Sequence, residues 1–389
     1  MIVIYFLITL ISLYFLISAL YIFVHALAGH FFKPKKYEND KSPKALILIP
    51  AYKEDNVIVS VAKKALSQKY NGEFDVVVIA DKLKENTIKN LKKLPIKLIE
   101  VSFEKSTKSK ALNLAMSKLN DDYNFVIILD ADNVMCDNAI SLFSNYFTND
   151  IDIVQGKRTA SNLKSNFSYL DGISEEVNNH IYCAGSNSLG FSSRLVGSGM
   201  AFNYKLFKEV MSDIDVIGGF DKALELKMIS KNKKIVYDPN IITYDEKVEN
   251  AEVFGNQRSR WLSAQYEFFF NNIKNGINQL MEGNFDYVVK LYQFILPPRL
   301  LFPLITFIGS LITYITFNQF FYTWLSSFLL VVISYTISIP LNKFNYRMFL
   351  VFGSLLEAMW QTIKAIFKMK KASKEFIHTP HKGLEINDK

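Results

Sequence analysis

The stretch "FVIILDADN", residues 125 to 133, decides the fold, because five apolar residues run directly into two acids one residue apart. A short, continuous, β-branched run is typical of a strand that helices bury on both faces, and such strands form parallel sheets. Asp130 and Asp132 then stand just beyond the end of the strand. There they can hold a metal ion or merely cap a turn, and the D-x-D pattern by itself does not separate the two.

Two earlier stretches have the same composition, "ALILIPA" (45 to 51) and "DVVVIAD" (75 to 81). Between the three strands, "NVIVSVAKKALSQ" (56 to 68) and "STKSKALNLAMSKL" (106 to 119) show helical spacing. This alternation over residues 44 to 135 predicts a doubly wound, mostly parallel α/β sheet. In such sheets ligands bind beyond the carboxyl ends of the strands.

Acidic residues follow all three predicted strands, and they are expected to share one crevice: Glu54, Asp81, Asp130 and Asp132. Carboxylates crowded together repel one another, and a cation relieves that repulsion. Hard cations such as Mg²⁺ or Mn²⁺ prefer carboxylate oxygens and often bind jointly with substrate phosphates. The sequence therefore predicts a divalent cation and a phosphorylated ligand at this edge of the sheet.

Two later segments could carry chemistry. In "GGFDKALELKM" (218 to 228), Asp221 and Glu225 lie four residues apart on one predicted helix. An acid at a helix start can act as a general base, or it can simply be stabilised by the helix dipole.

In "NQRSRWLSAQYEFF" (256 to 269), Gln257, Arg260 and Trp261 lie on adjacent faces of a predicted helix. A guanidinium can clamp a pyrophosphate and an indole can stack on a sugar. The alternative is a surface helix that leans on a bilayer.

Apolar residues are concentrated at the two ends of this 389-residue chain. No Asp, Glu, Lys or Arg occurs in residues 1 to 32 or in residues 300 to 342. About 20 apolar residues span a bilayer, so the first stretch predicts one transmembrane helix and the second predicts two. A cleavable signal peptide ending at "ALA" (26 to 28) is the alternative for the N-terminus. Against it, the first residues carry no positive charge and the apolar run is too long.

Basic residues set the expected orientation. "KPKK" (33 to 36) and "LNKFNYR" (341 to 347) flank the apolar stretches, which predicts a multi-pass protein of the cell (inner) membrane with its central domain in the cytoplasm. "NFDYVVKLYQFILPP" (284 to 298) has the pattern of an interfacial amphipathic helix. The expected segments are an anchor helix, a catalytic domain, the interfacial helix, two spanning helices, and an interfacial helix with a cytoplasmic tail: 1–32, 33–283, 284–298, 299–342 and 343–389. Whether residues 348 to 367 span the membrane or lie on it stays open.

The formal net charge of +8 does not indicate nucleic acid, because the lysines are scattered among acids. Anionic lipid headgroups and phosphorylated substrates account for it. Cys136 and Cys183 lack metal-ligand spacing and are expected to be free thiols.

Seven segments in this order carry a resemblance: "LILIPAYKED", "VVVIADKLKENT", "KSKALNLA", "ILDADN", "GSGMAFN", "GFDKALEL" and "QRSRW". Over residues 44 to 272 the chain resembles the membrane-integrated family-two glycosyltransferases, which include cellulose, chitin and hyaluronan synthases. The resemblance implies a Rossmann-like mixed sheet of the GT-A type, with transmembrane and interfacial helices at both ends.

For the donor, the resemblance implies that Ala51, Tyr52 and Glu54 line a uridine pocket, that Asp81 reads the base, and that Lys108 lies near the diphosphate.

For the metal and the leaving group, the resemblance implies that Asp130 contacts the donor and shares the metal with Asp132. Gln257 and Arg260 would hold the pyrophosphate.

For the acceptor, the resemblance implies binding by Trp261 and Gly199 and makes Asp221 the catalytic base. The family places a glutamate before that aspartate, whereas this chain has Phe220, so Glu225 is the alternative base.

The C-terminal "FIHTPHK" (376 to 382) resembles the family's gating loop. Its counterparts would be Phe376, Thr379, His381 and Lys382, with His381 where the family has lysine.

The implied reaction is a single inverting displacement that transfers a hexose or N-acetylhexosamine from a UDP-sugar to a growing β-linked polysaccharide, coupled to export. Transfer of one sugar to a lipid-linked acceptor is the alternative, and a silent scaffold of an export complex is a third. A homo-oligomer or an export partner could complete a channel. The sugar itself is not specified by the sequence.

Overall fold

The computed structural model describes residues 2–37, 41–120, 122–148 and 151–372. The strands of these residues form one eight-stranded mixed sheet with the order β3-β2-β1-β4-β7-β6-β8-β5. The strands are β1 Ala45–Tyr52, β2 Phe74–Asp81, β3 Lys97–Val101, β4 Phe125–Ile128, β5 Val134–Met135, β6 Ile153–Ala160, β7 Met200–Asn203 and β8 Ile235–Asp245.

Helices cover both faces of the sheet and continue at both ends of the chain. They are α1 Ile2–Gly29, α2 Ile58–Leu66, α3 Glu85–Leu91, α4 Lys108–Lys118, α5 Ala139–Phe147, α6 Asn166–Asn178, α7 Ser186–Ser188, α8 Tyr204–Ser212, α9 Phe220–Ser230, α10 Ala251–Met281, α11 Phe285–Gln293, α12 Phe302–Thr316, α13 Phe321–Ile337, α14 Arg347–Leu350 and α15 Phe352–Ala372. A π-helical segment, Asn179–Gly185, joins α6 to α7.

The parallel half of the sheet confirms the α/β prediction. Strands β3, β2, β1 and β4 are parallel neighbours, and their register pairs Tyr52 with Asp81 and Leu48 with Ile128. The carboxyl ends of β1 and β2 therefore meet, with the DADN turn beside them. The other half is mixed, because β7 runs antiparallel to β4 and β6 while β8 runs parallel to β6.

One helix and one strand between the second and third predicted strands were missed. They are α3 and β3. Strand β3 lies at the edge of the sheet, and none of its five residues is fully buried. An edge strand needs no continuous apolar run, so its sequence "KLIEV" gives no strong signal. The third predicted strand also ends earlier than expected, at Ile128.

The core lies on both faces of the sheet, and β1 shows why. Its residues Leu46 and Leu48 pack on the face that carries α4, α8 and α9, while Ile47 and Ile49 pack on the face that carries α2 and α5. All four are fully buried. Each such side chain contributes about 1.5–3 kcal/mol on burial, so the strand ends are held rigidly in place.

The apolar helices α1, α12 and α13 pack on one another in a separate cluster that includes Ile22, Phe302 and Val331. Trp324 of α13 donates to the Ser12 hydroxyl of α1 at 2.8 Å. Among the described residues, two helices have the length and apolar character needed to cross a membrane, Ile2–Gly29 and Asn318–Ile337, and the apolar helix Phe302–Thr316 is shorter.

The end of α1 lies in backbone contact with the π-helical segment. A Cβ placed on Gly185 would lie 2.1 Å from the His25 carbonyl oxygen, and one on Gly29 would lie 2.6 Å from Nε2 of His180. Only glycine fits at these two positions without a shift of the neighbouring backbone or ring.

The helices that follow the sheet differ in length from the predicted ones. Helix α10 continues to Met281, twelve residues past the segment 256–269 in which a helix was predicted, and the predicted interfacial segment 284–298 forms α11 only as far as Gln293. Helix α15 packs along α10, where Ser259 and Ser263 donate to backbone carbonyls of α15 at 3.2 and 3.1 Å.

Candidate active site

A cavity of about 470 Å³ opens at the carboxyl ends of β1, β2 and β4, between the sheet, α6, α9 and α10. Most of the predicted site residues line it: Ala51, Tyr52, Glu54, Asp81, Lys108, Asp130, Asp132, Asp221, Gln257, Arg260 and Trp261. Glu225 and Gly199 do not. Phe376, Thr379, His381 and Lys382 lie outside the described residues.

Left-handed residues end β1 and β2 at the cavity edge. Lys53 has φ 57° and Lys82 has φ 54°, and the Lys53 N–H donates to the Asp81 carbonyl at 3.1 Å. A left-handed non-glycine residue costs about 1–2 kcal/mol, which the paired strands must offset. The two reversals leave Asp81 at the bottom of the cavity, 2% exposed, with its Oδ1 unpartnered among the described residues. This buried oxygen can accept a hydrogen bond from a ligand N–H.

The DADN turn is held by hydrogen bonds from both sides. The Asp130 N–H donates to the Ser198 hydroxyl at 2.9 Å, and the Asn133 N–H donates to the Asp130 carbonyl at 3.1 Å. The Asn133 amide also donates to Asp245 at 2.8 Å. These bonds hold the turn, and Asp130 and Asp132 both line the cavity.

The two carboxylates fit a divalent cation that is shared with a substrate. Among the described residues, no three His, Cys, Asp or Glu side chains come together as a metal cluster. Mg²⁺ commonly takes one or two carboxylates and completes its shell with phosphate oxygens and water. Asp130 also pairs with the ammonium of Lys108, so a cation at this position would share Asp130 with that lysine.

Lys108 connects the turn to helix α9. Its ammonium donates to the Gly197 carbonyl at 2.8 Å and lies 4.7 Å from the centre of the Phe220 ring. A cation over an aromatic face is stabilised by about 0.5–2 kcal/mol. Phe220, which stands where the resemblance implies a glutamate, thus contacts the same lysine that pairs with Asp130.

Asp221 lies in the first turn of α9, facing the cavity with 17% of its side chain exposed. The ammonium of Lys222 lies 3.5 Å from its carboxylate. Burial raises the pKa of Asp221, but the charges of Lys222, Arg194 and Lys108 outweigh burial and hold that pKa below its usual value. Asp221 is therefore ionised at neutral pH and can accept a proton.

Glu225 is closed off from the cavity, which argues against the alternative assignment of the base. It lies 3.1 Å from the Lys290 ammonium in an ion pair whose two side chains are each 1% exposed, and it accepts from the Leu195 N–H at 3.0 Å. Burial raises its pKa against the opposing charge of Lys290. The pair joins α9 to α11.

Gly199 also departs from its expected role. It is buried beneath the cavity with φ 60°, and an added Cβ would lie 2.2 Å from the Thr243 hydroxyl. Its carbonyl accepts from Gly156 and its N–H donates to Ile128, both at 2.9 Å. Gly199, just before β7, is thus bonded to the end of β4 on one side and to β6 on the other, and it offers no surface to an acceptor.

Helix α10 brings Gln257, Arg260 and Trp261 to the cavity wall. The guanidinium of Arg258, which the sequence analysis did not single out, stacks 4.6 Å from the Trp261 ring centre and pairs with Asp171. Burial lowers the pKa of Arg260. Gln257 Oε1 is buried without a hydrogen-bond partner among the described residues.

A four-membered ionic network behind the DADN turn was missed. Arg158 pairs with Glu175 at 3.0 Å, and Lys247 pairs with Glu175 at 3.1 Å and with Asp245 at 2.6 Å. Burial raises the pKa of Glu175, but the two cations outweigh it and hold that pKa far below its usual range. These residues come from three separated segments without a motif, so only their tertiary contact reveals the network.

Comparisons with known proteins agree with this geometry. The model of the glycosyltransferase-like family 2 matches residues 43–264, and the chain belongs to that family. It is thus a nucleotide-sugar transferase of family 2. Its relationship to cellulose, chitin and hyaluronan synthases stays a prediction.

Solved structures share the fold. The mannosyltransferase PcManGT from Pyrobaculum calidifontis, in complex with GDP-Man and Mn²⁺, is similar at 15% identity and a TM-score of 0.58, over 93% of this chain and 97% of that one. Glucosyl-3-phosphoglycerate synthase from Mycobacterium tuberculosis, with Mn²⁺, UDP and glucosyl-3-phosphoglycerate, matches at 11% identity over 56% of this chain and 80% of that one, with a TM-score of 0.35. A search of curated proteins found no match.

Proposed function

We propose that this protein is a membrane-bound, metal-dependent, inverting glycosyltransferase that moves a hexose or N-acetylhexosamine from a UDP-sugar to a glycan acceptor at the cytoplasmic face of the membrane. One observation carries the proposal: the acids after three strands, Asp221 of α9, and the Gln257-to-Trp261 segment of α10 meet in one cavity. The family membership supports the reaction type, and the complex of the similar mannosyltransferase with GDP-Man and Mn²⁺ supports a divalent cation.

The donor end of the cavity has the groups that a nucleotide-sugar needs. The unpartnered Asp81 oxygen suits a base N–H, and Tyr52 offers a ring beside it. Asp130 and Asp132 would hold Mg²⁺ or Mn²⁺, which when bound stabilises the negative charge of the departing diphosphate. Lys108 and Arg260 line the same cavity and stabilise that charge from the protein side.

Asp221 performs the proton transfer in this mechanism. Its carboxylate is ionised, and it takes the proton from an acceptor hydroxyl that rests against Trp261. The hydroxyl oxygen attacks the anomeric carbon from the face opposite the nucleotide, and the bond from that carbon to the diphosphate breaks. An α-linked donor then gives a β-linked product.

The apolar helices support a membrane-bound enzyme. Helix α1, the pair α12 and α13, and the basic residues after each of them suit an anchored cytoplasmic domain. A growing polysaccharide remains the acceptor that the resemblance favours, with a second subunit or an export partner completing the channel. A lipid-linked acceptor is the second candidate, and the arginines at the far end of the cavity favour it.

Metal-dependent UDP release by membranes that contain the protein tests the proposal. With a panel of labelled UDP-sugars, we expect release with one donor, loss of release in EDTA, and recovery with Mn²⁺ or Mg²⁺. Asp221→Asn should abolish transfer, whereas Glu73→Gln, an exposed acid far from the cavity, should not. Release that persists in Asp221→Asn contradicts the assignment of the base, and no release with any donor contradicts the enzyme. Sizing the labelled product separates a polymer from a single-sugar glycolipid.

A further inference from the structure

The cavity has a second, positively charged end that the donor does not require. Arg194, Arg258 and Arg299 line it together with Leu296, Pro297 and Pro298. The acids after the strands lie at the donor end, so the two ends of the cavity differ in charge.

The three arginines lie along one face formed by α6 and the π-helical segment. Asp171, Ser174, Asn178 and Tyr182 follow one another along that face at helical spacing, and all four line the cavity. Arg258 pairs with Asp171.

One turn further along, Arg299 donates to the Ser174 carbonyl at 2.8 Å and to the Asn178 side chain. The backbone N–H of Arg194 donates to the Tyr182 carbonyl at 3.1 Å, so this residue lies next to the end of the same row, where it lines the cavity.

The row carries more positive than negative charge. Asp171 is the acid paired with Arg258, while the bonds of Arg299 go to neutral oxygens. The nearby Glu175 is already used by Arg158 and Lys247. Like charges held close together in a partly buried wall are costly, and an anion between them offsets that cost. Arginine forks match the oxygens of a phosphate.

The surroundings of the row favour a phosphate that is attached to a lipid. Arg299 stands three residues before the apolar helix α12, and the residues before it on the cavity wall are apolar. The π-helical segment that carries Tyr182 contacts the end of α1 through Gly185. A headgroup phosphate beside the arginines would therefore place its hydrocarbon chain toward the apolar helices.

We propose that Arg194, Arg258 and Arg299 form a subsite for a phosphate group on a lipid-borne acceptor, with the acceptor hydroxyl directed at Asp221. The subsite rests on the proposed function and selects its second candidate acceptor, the lipid-linked one, over a growing polysaccharide. Asp221 and the three arginines line the same cavity.

Binding of labelled farnesyl phosphate to the full chain in phosphatidylcholine nanodiscs tests the subsite. We expect Arg194→Gln and Arg299→Gln each to weaken that binding about tenfold or more, because each removes charge-assisted hydrogen bonds. Farnesol, which lacks the phosphate, should bind weakly and equally to all variants. Lys63→Gln removes an exposed charge outside the cavity and should bind farnesyl phosphate as the parent does.

Measuring UDP binding with Mn²⁺ in the same samples distinguishes a failure of the phosphate subsite from a failure of the proposed glycosyltransferase function. We expect the arginine variants to hold UDP within about twofold of the parent. Unchanged farnesyl phosphate binding in both variants overturns the subsite, and so does an equal loss of UDP, which would assign the arginines to the donor diphosphate. Absence of UDP binding in the parent contradicts the proposed function instead. Should Arg299→Gln fail to fold, Arg194→Gln decides, because its side chain holds no helix in place.

Discussion

The ammonium of Lys108 lies 4.7 Å from the centre of the Phe220 ring while it pairs with Asp130. This contact joins the two parts of the site, since Asp130 belongs to the DADN turn and Phe220 begins the helix that carries Asp221. A glutamate at position 220, which the resemblance to the family implies, would give Lys108 a second carboxylate. The aromatic ring holds the lysine without competing for its charge.

Replacing Phe220 tests this contact. We expect Phe220→Leu to weaken UDP binding in the presence of Mn²⁺ by about 2- to 30-fold, because the lysine loses a cation–π contact of about 0.5–2 kcal/mol. Phe220→Tyr keeps the ring and serves as the matched control. Isothermal titration calorimetry measures both, and equal affinities for the Leu and Tyr variants would contradict the role of the ring.

The low pKa of Asp221 should appear in the pH dependence of kcat/KM. Because nearby cations hold the pKa of Asp221 below its usual value, kcat/KM should persist to a pH below about 4 before the base is protonated. Removing a positive charge raises that pKa, so Arg194→Gln should move the acidic limb to higher pH. Lys231→Gln, at the other end of α9, should leave it in place. An unmoved limb in Arg194→Gln would show that Asp221 is not the titrating base.

The buried network behind the turn should dominate the stability of the catalytic domain. Glu175→Gln leaves Arg158 and Lys247 without their shared carboxylate, and we expect a loss of about 3–5 kcal/mol. The exposed Glu73→Gln control should cost no more than about 1 kcal/mol. Chemical denaturation of both variants in detergent provides the comparison, and similar midpoints would contradict the network's role.

The same network predicts the direction of the pH dependence of stability. The pKa of Glu175 is lower in the folded protein than in the unfolded chain, so its contribution is complete above about pH 4.3 and is lost as the pH falls below that value. Glu175→Gln should therefore flatten the decline of Tm in acid. A decline as steep as that of the parent would assign the acid sensitivity to other groups.

Variants of the Glu225–Lys290 pair distinguish a structural role of Glu225 from a role as the catalytic base. Glu225→Gln alone leaves a buried ammonium unpaired and should lower Tm markedly. Glu225→Gln combined with Lys290→Met removes both charges and should regain much of that stability. The double variant should also keep the pH profile of the parent, whereas a lost acidic limb would make Glu225 the base after all.

The sequence predicts the strands and the crevice acids well because each is a local pattern. Buried runs such as "ALILIPA" and "FVIILDAD" mark β1 and β4 by composition, and parallel pairing then brings Glu54, Asp81 and Asp130 to one edge. Edge strand β3 gave no such signal, since half-exposed residues need not be apolar. The bounds of the apolar helices and of the predicted interfacial segment were predicted only to within several residues.

The rest of the site depends on contacts between distant segments. Arg258 meets Asp171 across 87 positions of the chain, and Arg299 meets Ser174 across 125, so no spacing rule connects them. The prediction of Glu225 as an alternative base failed for a related reason. Its i, i+4 position beside Asp221 says that the two share a helix, but the packing of α11 against that helix turns Glu225 into the partner of Lys290.

The glycine contacts at the end of α1 bear on which acceptors the enzyme can use. Gly185 and Gly29 let the π-helical segment and α1 approach closely, because neither position carries a Cβ. In the proposed membrane orientation of α1, this contact fixes the distance of the arginine row and of Asp221 from the bilayer. The enzyme would then select acceptors by the distance between their phosphate and their reactive hydroxyl. A lipid whose reactive hydroxyl lies too near its phosphate, or too far from it, would miss the base, and selection by length would precede any recognition of the sugar.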